Sequence, residues 1–292
     1  MQNDIFTLPA LDGYLLGATL YPAEKPVAQL IVAGATGVPQ GFYRRFAEHA
    51  AQRGYTTLTL DYRGIGRSAP ETLRGFDMQY LDWAYLDLAA AVDHMSADEL
   101  PLYMVGHSFG GHAFGLLPNH QQVSGFYTFG TGAGWHGWMP PLQRVRVQAM
   151  WELVAPVITR TKGYLAWSRL GMGEDLPMGV YRQWKRWCRN PRYFFEDPDM
   201  AHVHQSFASV KTPIVALNTT DDLWASPRSR DAFMPGYSQA PYQGVTVEPA
   251  ERGLPAIGHM GYFRSTAQLL WQDALDWFGS LAGRDVAGQG TS

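Results

Sequence analysis

Along the first 130 residues, continuous apolar runs alternate with segments in which apolar residues recur at helical spacing. Three apolar runs break off in glycines, as buried parallel strands followed by tight loops do: AQLIVAGATG, YTTLTLDYRGIGRS and LYMVGHSFGG. Two segments between these runs have the spacing of amphipathic helices: GFYRRFAEHAAQRG, with Gly54 as its stop, and DWAYLDLAAAVDHMS. Strand and helix in alternation predict an α/β fold with a mostly parallel sheet flanked by helices.

Further strands are predicted before and after this region. Residues 5–22 read as a hairpin, because the turn pair Asp12 and Gly13 separates two alternating runs. Later strands are predicted at 123–130, at 212–220 and in GVTVEPA, and a final helix follows. The sheet therefore continues on both sides of the glycine-rich runs.

Residues 133–205 differ from the rest of the chain. Their spacing is helical, and they contain six of the ten tryptophans: Trp135, Trp138, Trp151, Trp167, Trp184 and Trp187. They carry 10 Lys and Arg against 6 Asp and Glu, which leaves 13 against 20 elsewhere. Solvated helix faces are the ordinary explanation of such charge. We predict a core domain formed by 1–132 and 206–292, with 133–205 inserted as a helical cap.

Composition and net charge indicate which kinds of molecule the protein binds. A chain of 292 residues fits one large domain, and a net charge of −3 provides no broad positive field for nucleic acid. The single cysteine, Cys188, cannot form an internal disulfide, which fits a reducing compartment. Neither a secretion signal nor an apolar run of membrane-spanning length is found. We expect a cytoplasmic protein that acts on a small molecule without a membrane partner, and a homodimer is left open.

One short segment carries the chemistry. If LYMV is a strand and GHAFGLL begins a helix, residues 106–110 form a G-x-S-x-G turn with Ser108 at its apex. The flanking glycines let backbone pass close to the serine, and the following helix directs its positive end at any anion formed there. The pattern occurs by chance in glycine-rich chains, but here it also has the expected strand, helix and following Gly111.

With these features the chain resembles the α/β hydrolase superfamily, in its serine esterase and serine aminopeptidase branch. The segment DYRGIGRS, residues 61–68, is similar to the D-x-R-G-x-G-x-S loop of that branch. The resemblance covers the layout of residues 10–280 and implies an α/β hydrolase fold with a helical cap. It also implies a serine nucleophile followed along the chain by an acid and then a histidine.

Chain order selects the partners of Ser108. Other histidines beyond the serine precede the last predicted strand, whereas His259 follows it. The resemblance places the acid shortly after the strand that begins at Pro213, where Asp221 and Asp222 are adjacent. We expect Asp222 to reach His259 and Asp221, the alternative acid, to cap the next turn.

The resemblance also implies two backbone donors for an oxyanion. One is the amide of Phe109, and the other comes from the loop VAGATG. Alignment on the family's His-Gly pair places Gly34 at the glycine and makes Ala35 the donor, with Thr36 as the neighbouring choice. The family's histidine is Ala33 here, which is a departure from its pattern.

The remaining predicted contacts concern the substrate. Gly34, Thr36, His107, Trp184 and Trp187 are the predicted substrate-binding residues. Packing is the commoner role for His107 and for tryptophans at helical spacing. An aromatic cap would nevertheless suit an apolar acyl or aryl group.

Metal and cofactor chemistry have little support. His202 and His204 have the spacing of a metal pair only on a strand, and the glycine loops lack the rest of a nucleotide-binding motif, so we expect neither metal nor cofactor. The predicted function is a serine hydrolase that cleaves a carboxylic ester or related acyl bond. Thioesterase, peptidase, carbon-carbon hydrolase and haloperoxidase activity, or non-catalytic binding of an apolar ligand, are the alternatives.

Overall fold

A computed structural model describes residues 3–97 and 99–288, with side chains as far as residue 282. Within these residues eight strands form one sheet in the spatial order β1-β2-β4-β3-β5-β6-β7-β8. The strands are β1 Asp4–Pro9, β2 Leu15–Tyr21, β3 Ala28–Ala33, β4 Tyr55–Leu60, β5 Leu102–His107, β6 Gly125–Phe129, β7 Ile214–Thr219 and β8 Tyr242–Val247. β1 pairs antiparallel with β2, β2 pairs antiparallel with β4, and all other pairs are parallel.

The α-helices lie between and after the parallel strands. They are α1 Arg44–Gln52, α2 Ala89–Met95, α3 Phe109–Ala113, α4 Pro141–Ala149, α5 Ala155–Lys162, α6 Met178–Trp187, α7 Val203–Ser209, α8 Pro227–Phe233 and α9 Gln268–Gly288. Two π-helical segments precede α2 and α5, at Trp83–Leu88 and Met150–Val154. No helix within the described residues is both long enough and apolar enough to cross a bilayer.

The predicted α/β fold with a mostly parallel sheet is confirmed, and its local signals lie where the pattern placed them. Asp12 and Gly13 form the turn between β1 and β2, where Gly13 has a φ of 86°. Gly54 ends the segment after α1 with a φ of 91°, a conformation that glycine adopts at low cost. The helix predicted at 82–96 is present, although its first part is π-helical.

Apolar side chains alternate between the two faces of the sheet and build two cores. On β5, Tyr103 and Val105 pack beneath α1 and α9, whereas Leu102 and Met104 face the core that includes α2 and α3. Both faces of this central strand are therefore covered, which explains its continuous apolar sequence. The arrangement brings the carboxyl ends of β3, β5 and β7 to one edge of the sheet.

Helices α4 to α7 connect β6 to β7, in the segment for which the sequence predicts an inserted cap. α7 continues across the predicted boundary at 205 and 206, and Phe207 on it packs against Phe194 and Phe233. The helical content agrees with the pattern, while the division into core and cap stays a prediction.

Candidate active site

Ser108 stands at the sharp bend between β5 and α3. Its φ is 52° and its ψ is −107°, a conformation that is strained for a residue with a side chain. The neighbouring glycines make the bend feasible: a Cβ on Gly110 would lie 2.0 Å from the carbonyl oxygen of Ala33, and one on Gly106 would lie 2.7 Å from the amide nitrogen of Gly111. The glycines therefore allow β3, β5 and α3 to pack closely around the bend, and the bend leaves Ser108 at its apex.

The structure brings Ser108, His259 and Asp222 together in one hydrogen-bonded chain. His259 Nε2 lies 3.0 Å from Ser108 Oγ, and its Nδ1 lies 3.0 Å from Asp222 Oδ2. Because a carboxylate can only accept, Nδ1 carries the proton and Nε2 is left to accept from the serine. Burial acts to raise the pKa of Asp222, but His259 and hydrogen bonds to the carboxylate outweigh it and hold that pKa below its ordinary value.

The two adjacent aspartates have different contacts. Asp222 Oδ1 accepts the amides of Trp224 and Ala225, both at 2.9 Å, in addition to its contact with the histidine. Asp221 points elsewhere, and its Oδ2 accepts the amide of Ile257 at 2.7 Å. The expectation that Asp221 caps the following turn is therefore wrong, because Asp222 caps it while Asp221 fastens the loop that carries the histidine.

His107 is fully buried beside the serine, so it does not line the cavity as a predicted substrate-binding residue would. Its Nε2 lies 2.9 Å from the carbonyl oxygen of His259, and its Nδ1 lies 3.0 Å from Tyr43 Oη. Burial and then the neighbouring His259 lower the pKa of His107 to about 3, so the ring is neutral. The carbonyl requires a proton on Nε2, and Nδ1 therefore accepts from the tyrosine.

The same tyrosine changes the expected oxyanion hole. Tyr43 Oη accepts the backbone amide of Ala35 at 2.7 Å, so this amide is directed into the protein and not at Ser108. Within the described residues the Thr36 amide makes no hydrogen bond, and its hydroxyl contacts that of Tyr80. The Phe109 amide begins α3 and has no helical acceptor. The available backbone donors are thus those of Phe109 and Thr36, and the expected role of Ala35 is corrected.

A cavity of about 500 Å³ opens beside Ser108 and His259. Its wall is mostly apolar, and none of its other lining residues carries a charge: Ala35, Thr36, Gly37, Val38, Pro39, Phe42, Trp167, Gly171, Met172, Gly173, Trp184, Trp224 and Met260. The dimensions suit a small molecule, and burying a charged group here would leave it without a counter-charge.

The predicted tryptophan pair is divided by the structure. Trp184 lines the cavity, whereas Trp187 is buried behind it and donates from Nε1 to Asp197 at 3.1 Å. Gly34 also lies behind the wall, where a Cβ would come within 3.0 Å of the Tyr43 ring. The predicted substrate contacts of Trp187 and Gly34 are therefore wrong, and both residues serve packing.

Sequence reasoning did not single out several residues of the site. Trp224 lines the cavity from the turn that Asp222 caps, so its closeness to the acid in sequence is the signal that could have found it. Trp167 was visible only as one tryptophan of the helical segment. Tyr43 carries no signal, because its role depends on how the segment before α1 packs against the end of β3.

The pair His202 and His204 does not form a metal site in the structure. Both residues lie at the start of α7, where neighbours two apart point in different directions. His202 Nε2 contacts the hydroxyl of Tyr85 at 3.2 Å, and His204 Nε2 contacts the carbonyl of Phe195 at 2.9 Å. Across residues 3–97 and 99–288, no three metal-ligating side chains are grouped to hold an ion.

Comparison with known sequences places the chain in a family of hydrolases. The family model described as serine aminopeptidase, S33 matches residues 24–171, which include the bend at Ser108. The monoglyceride lipase of Saccharomyces cerevisiae is 25% identical over an alignment of 259 positions, and the match covers 76% of this chain and 78% of the yeast protein.

Solved structures agree with the fold. A soluble variant of the yeast monoglyceride lipase, in complex with a substrate analogue, has a TM-score of 0.70 at 16% identity and covers 96% of this chain and 95% of its own. A haloalkane dehalogenase variant from Bradyrhizobium elkanii has a TM-score of 0.60 at 14% identity, with 98% and 99% covered. Since these two neighbours are named for different reactions, structural likeness at this identity shows the fold alone.

Proposed function

Because the chain belongs to the serine aminopeptidase S33 family of α/β hydrolases, we propose that it is a serine hydrolase that cleaves the ester bond of a small, largely apolar, uncharged substrate. The observation that carries the proposal is the hydrogen-bonded chain from Asp222 through His259 to Ser108, which ends at an apolar cavity. Similarity to a monoglyceride lipase supports ester hydrolysis over the other acyl-transfer reactions of this fold.

The first half-reaction transfers the acyl group to the enzyme. Ser108 Oγ attacks the ester carbonyl while His259 Nε2 takes its proton, and Asp222 stabilises the imidazolium that forms. The carbonyl oxygen becomes an oxyanion, which the amides of Phe109 and Thr36 bind. Each such donor contributes about 3–4 kcal/mol in the transition state. His259 then protonates the departing alcohol, and an ester between Ser108 and the acyl group remains.

In the second half-reaction water hydrolyses the acyl-enzyme. His259 removes a proton from a water molecule, the resulting hydroxide attacks the acyl-enzyme carbonyl, and the same oxyanion site is used again. When the intermediate collapses, the bond to Ser108 Oγ breaks and the serine recovers its proton from His259. The products are one carboxylic acid and one alcohol, and no cofactor enters the balance.

The cavity wall favours an ester over an aminoacyl peptide. A peptide with a free N-terminus would bring an ammonium group into the site, and binding it would require a carboxylate or several aligned carbonyls. The lining residues include no Asp or Glu, and Asp222 is turned toward His259. A neutral ester avoids this desolvation cost.

We also propose that residues 133–205 act as the cap that selects the acyl group. Trp167 and Trp184 from this segment line the same cavity as Thr36. A flat aromatic wall makes favourable contact with an alkyl or aryl chain without requiring a hydrogen bond. Acyl length is therefore the substrate property to which turnover should respond most strongly.

The test is a substrate panel with a matched nucleophile variant. Purified protein is offered p-nitrophenyl esters of rising acyl length, an acyl thioester and an aminoacyl p-nitroanilide. We expect the esters to be turned over best, and Ser108→Ala to lower kcat by about 10⁶-fold without changing the circular dichroism spectrum. Preferred cleavage of the aminoacyl amide would refute the ester assignment, and turnover retained by Ser108→Ala would refute the mechanism.

A further inference from the structure

Residues 141–162 form one continuous helical rod, made of α4, the π-helical segment Met150–Val154 and α5. Its inner face carries Trp151, whose ring lies 5.1 Å from that of Trp184 and 6.1 Å from that of Trp167. Both of those tryptophans line the cavity beside Ser108. The rod is thus the layer that covers the aromatic wall of the cavity, and its outer face is the surface of the molecule at that point.

The outer face of the rod is unexpectedly apolar. Leu142, Val145, Leu153 and Val157 are 64%, 62%, 68% and 63% exposed, and Val154 is 40% exposed. Their spacing places them along the side opposite the buried residues of the rod. A helix that lies on a protein normally presents polar residues to water, so an apolar outer face indicates that this side meets another apolar phase.

The charged residues of the rod indicate which apolar phase its outer face meets. The rod contains Arg144, Arg146, Arg160 and Lys162, and its single acidic residue, Glu152, is paired with Arg189 and Lys185. At 3.6 residues per turn Arg146 and Arg160 fall on the same side of the rod as Leu142 and Leu153. An exposed helix face that combines apolar and basic side chains has the composition of helices that lie in a membrane interface. Two copies of this face would bring like charges together, which argues against a dimer formed through it.

The charge of the whole chain points in the same direction. Residues 133–205 carry 10 Lys and Arg against 6 Asp and Glu, while the remainder carries 13 against 20. A negatively charged surface would therefore attract the side of the molecule that carries the rod and repel the other side. Met172 lines the cavity and is itself 39% exposed, so an apolar side chain is also exposed at the cavity rim.

From these observations we propose that the outer face of residues 141–162 docks onto the surface of an anionic phospholipid bilayer. Docking in the interface plane needs no spanning segment, so it is compatible with the helices found, although the sequence led us to expect no membrane partner. Docked in this way, the enzyme would take a neutral ester from the lipid phase into a cavity about one helix diameter away. Binding itself does not depend on the proposed hydrolysis.

The test is sedimentation with lipid vesicles. Vesicles of phosphatidylcholine mixed with phosphatidylglycerol should bind the protein, and pure phosphatidylcholine should bind it less. We expect Leu142→Ser with Leu153→Ser to lower the partition coefficient at least about tenfold. We expect Arg146→Gln with Arg160→Gln to lower binding to the anionic vesicles by about fivefold per residue and to reduce its salt dependence.

Two controls make the result specific. Ile5→Ser with Leu15→Ser removes two side chains of similar exposure, 69% and 61%, on β1 and β2, and should leave vesicle binding unchanged. Ser108→Ala should bind as the unmodified protein does, which separates docking from hydrolysis. The Leu142 and Leu153 variant should also hydrolyse a short water-soluble ester at the normal rate, because neither side chain lines the cavity.

Three outcomes would overturn the proposal. The first is no binding to either kind of vesicle. The second is equal loss of binding in the β1 and β2 control, which would show that general surface hydrophobicity is responsible. The third is a dimer by size-exclusion chromatography with light scattering that Leu142→Ser with Leu153→Ser converts to a monomer, which would show that a second copy covers this face.

Discussion

Replacing each of the two adjacent aspartates by asparagine separates their roles more sharply than removing either one. Asp222→Asn keeps the shape of the side chain and can still accept the amides of Trp224 and Ala225 through Oδ1. The NH₂ group then occupies the position of Oδ2, which lies 3.0 Å from His259 Nδ1 and 3.0 Å from the hydroxyl of Tyr262. The tyrosine can rotate its proton away. The NH₂ group donates toward His259 Nδ1, whereas Oδ1, 3.1 Å from Nδ1, is already shared with the two amides, so the substitution favours the tautomer without a proton on Nδ1.

The magnitude follows from that tautomer. An asparagine NH₂ donates to Nδ1, so the ring proton moves to Nε2, the atom that should accept from Ser108. A base in the wrong tautomer costs about 10⁴-fold in kcat, equivalent to about 5.5 kcal/mol of transition-state stabilisation. The fold should lose only about 1–3 kcal/mol, because most of the hydrogen bonds to the side chain remain.

Asp221→Asn is the matched control. Its Oδ2 accepts the Ile257 amide at 2.7 Å, a bond that an asparagine oxygen can keep, and its Oδ1 has no partner within the described residues. We expect kcat/KM to fall less than about threefold. The assay is steady-state hydrolysis of the best p-nitrophenyl ester, with urea unfolding measured in parallel. Equal losses in the two variants, or near-normal turnover by Asp222→Asn, would refute this assignment of the acid.

Two further predictions concern buried polar residues, first the tyrosine that contacts His107 and then the buried groups that titrate. Tyr43→Phe removes the hydroxyl that contacts His107 and the oxyanion-loop amide, so two buried groups lose a partner; the free energy of unfolding should fall by about 2–4 kcal/mol and kcat/KM by about tenfold. Tyr55→Phe, which removes a hydroxyl bonded to a carbonyl of α9, should lose stability without the kinetic effect, and equal kinetic losses would contradict the positioning role. Burial lowers the pKa of His107 to about 3 and of His112 to about 4. Below about pH 6.5 both residues therefore stay neutral in the folded protein while they bind protons in the unfolded chain. Acidification thus favours the unfolded chain, and the free energy of unfolding is highest above about pH 6.5. Burial raises the pKa of Asp87 to about 6, so the folded protein binds a proton there between about pH 6 and pH 4 that the unfolded chain does not, and this offsets the effect of one histidine. The free energy of unfolding should therefore fall by about 1–2 kcal/mol per pH unit from about pH 6 to pH 4. Urea titrations that show it constant or rising would contradict this.

The fold was predictable because its signals are local. Central strands covered on both faces must be apolar throughout, and turns with positive φ favour glycine, so β5 and Gly54 are visible in the sequence. The bend at Ser108 belongs to the same class, because Gly106 and Gly110 are required by backbone that approaches within the width of a Cβ. The position of His259 followed from the order of nucleophile, acid and histidine that the resemblance to α/β hydrolases implies.

The errors concern contacts made by tertiary packing. Whether an amide in the loop after β3 faces a substrate or Tyr43 depends on where the segment before α1 lies, and no local pattern encodes that. Trp184 and Trp187 share a helix face, yet the three-residue offset places one at the cavity and the other behind it. His107 adjoins the nucleophile in sequence, but β5 directs its ring into the core.

The exposed rod shows the reverse case. The sequence predicts only that its apolar residues belong to a helical segment, whereas in the fold Leu142 and Leu153 are exposed and Trp151 is buried. A sequence pattern with apolar residues on both sides of a helix predicts burial, and it cannot distinguish a protein core from a second phase outside the molecule.

The central claim is that Ser108 is an activated nucleophile, and covalent labelling tests it most directly. The protein is incubated with an alkyl fluorophosphonate at neutral pH, and the adduct is located by peptide mass spectrometry. We predict one phosphonyl group per chain, on Ser108, with labelling abolished in Ser108→Ala and strongly slowed in His259→Ala. An unlabelled protein, or an adduct on any other residue, would contradict the account.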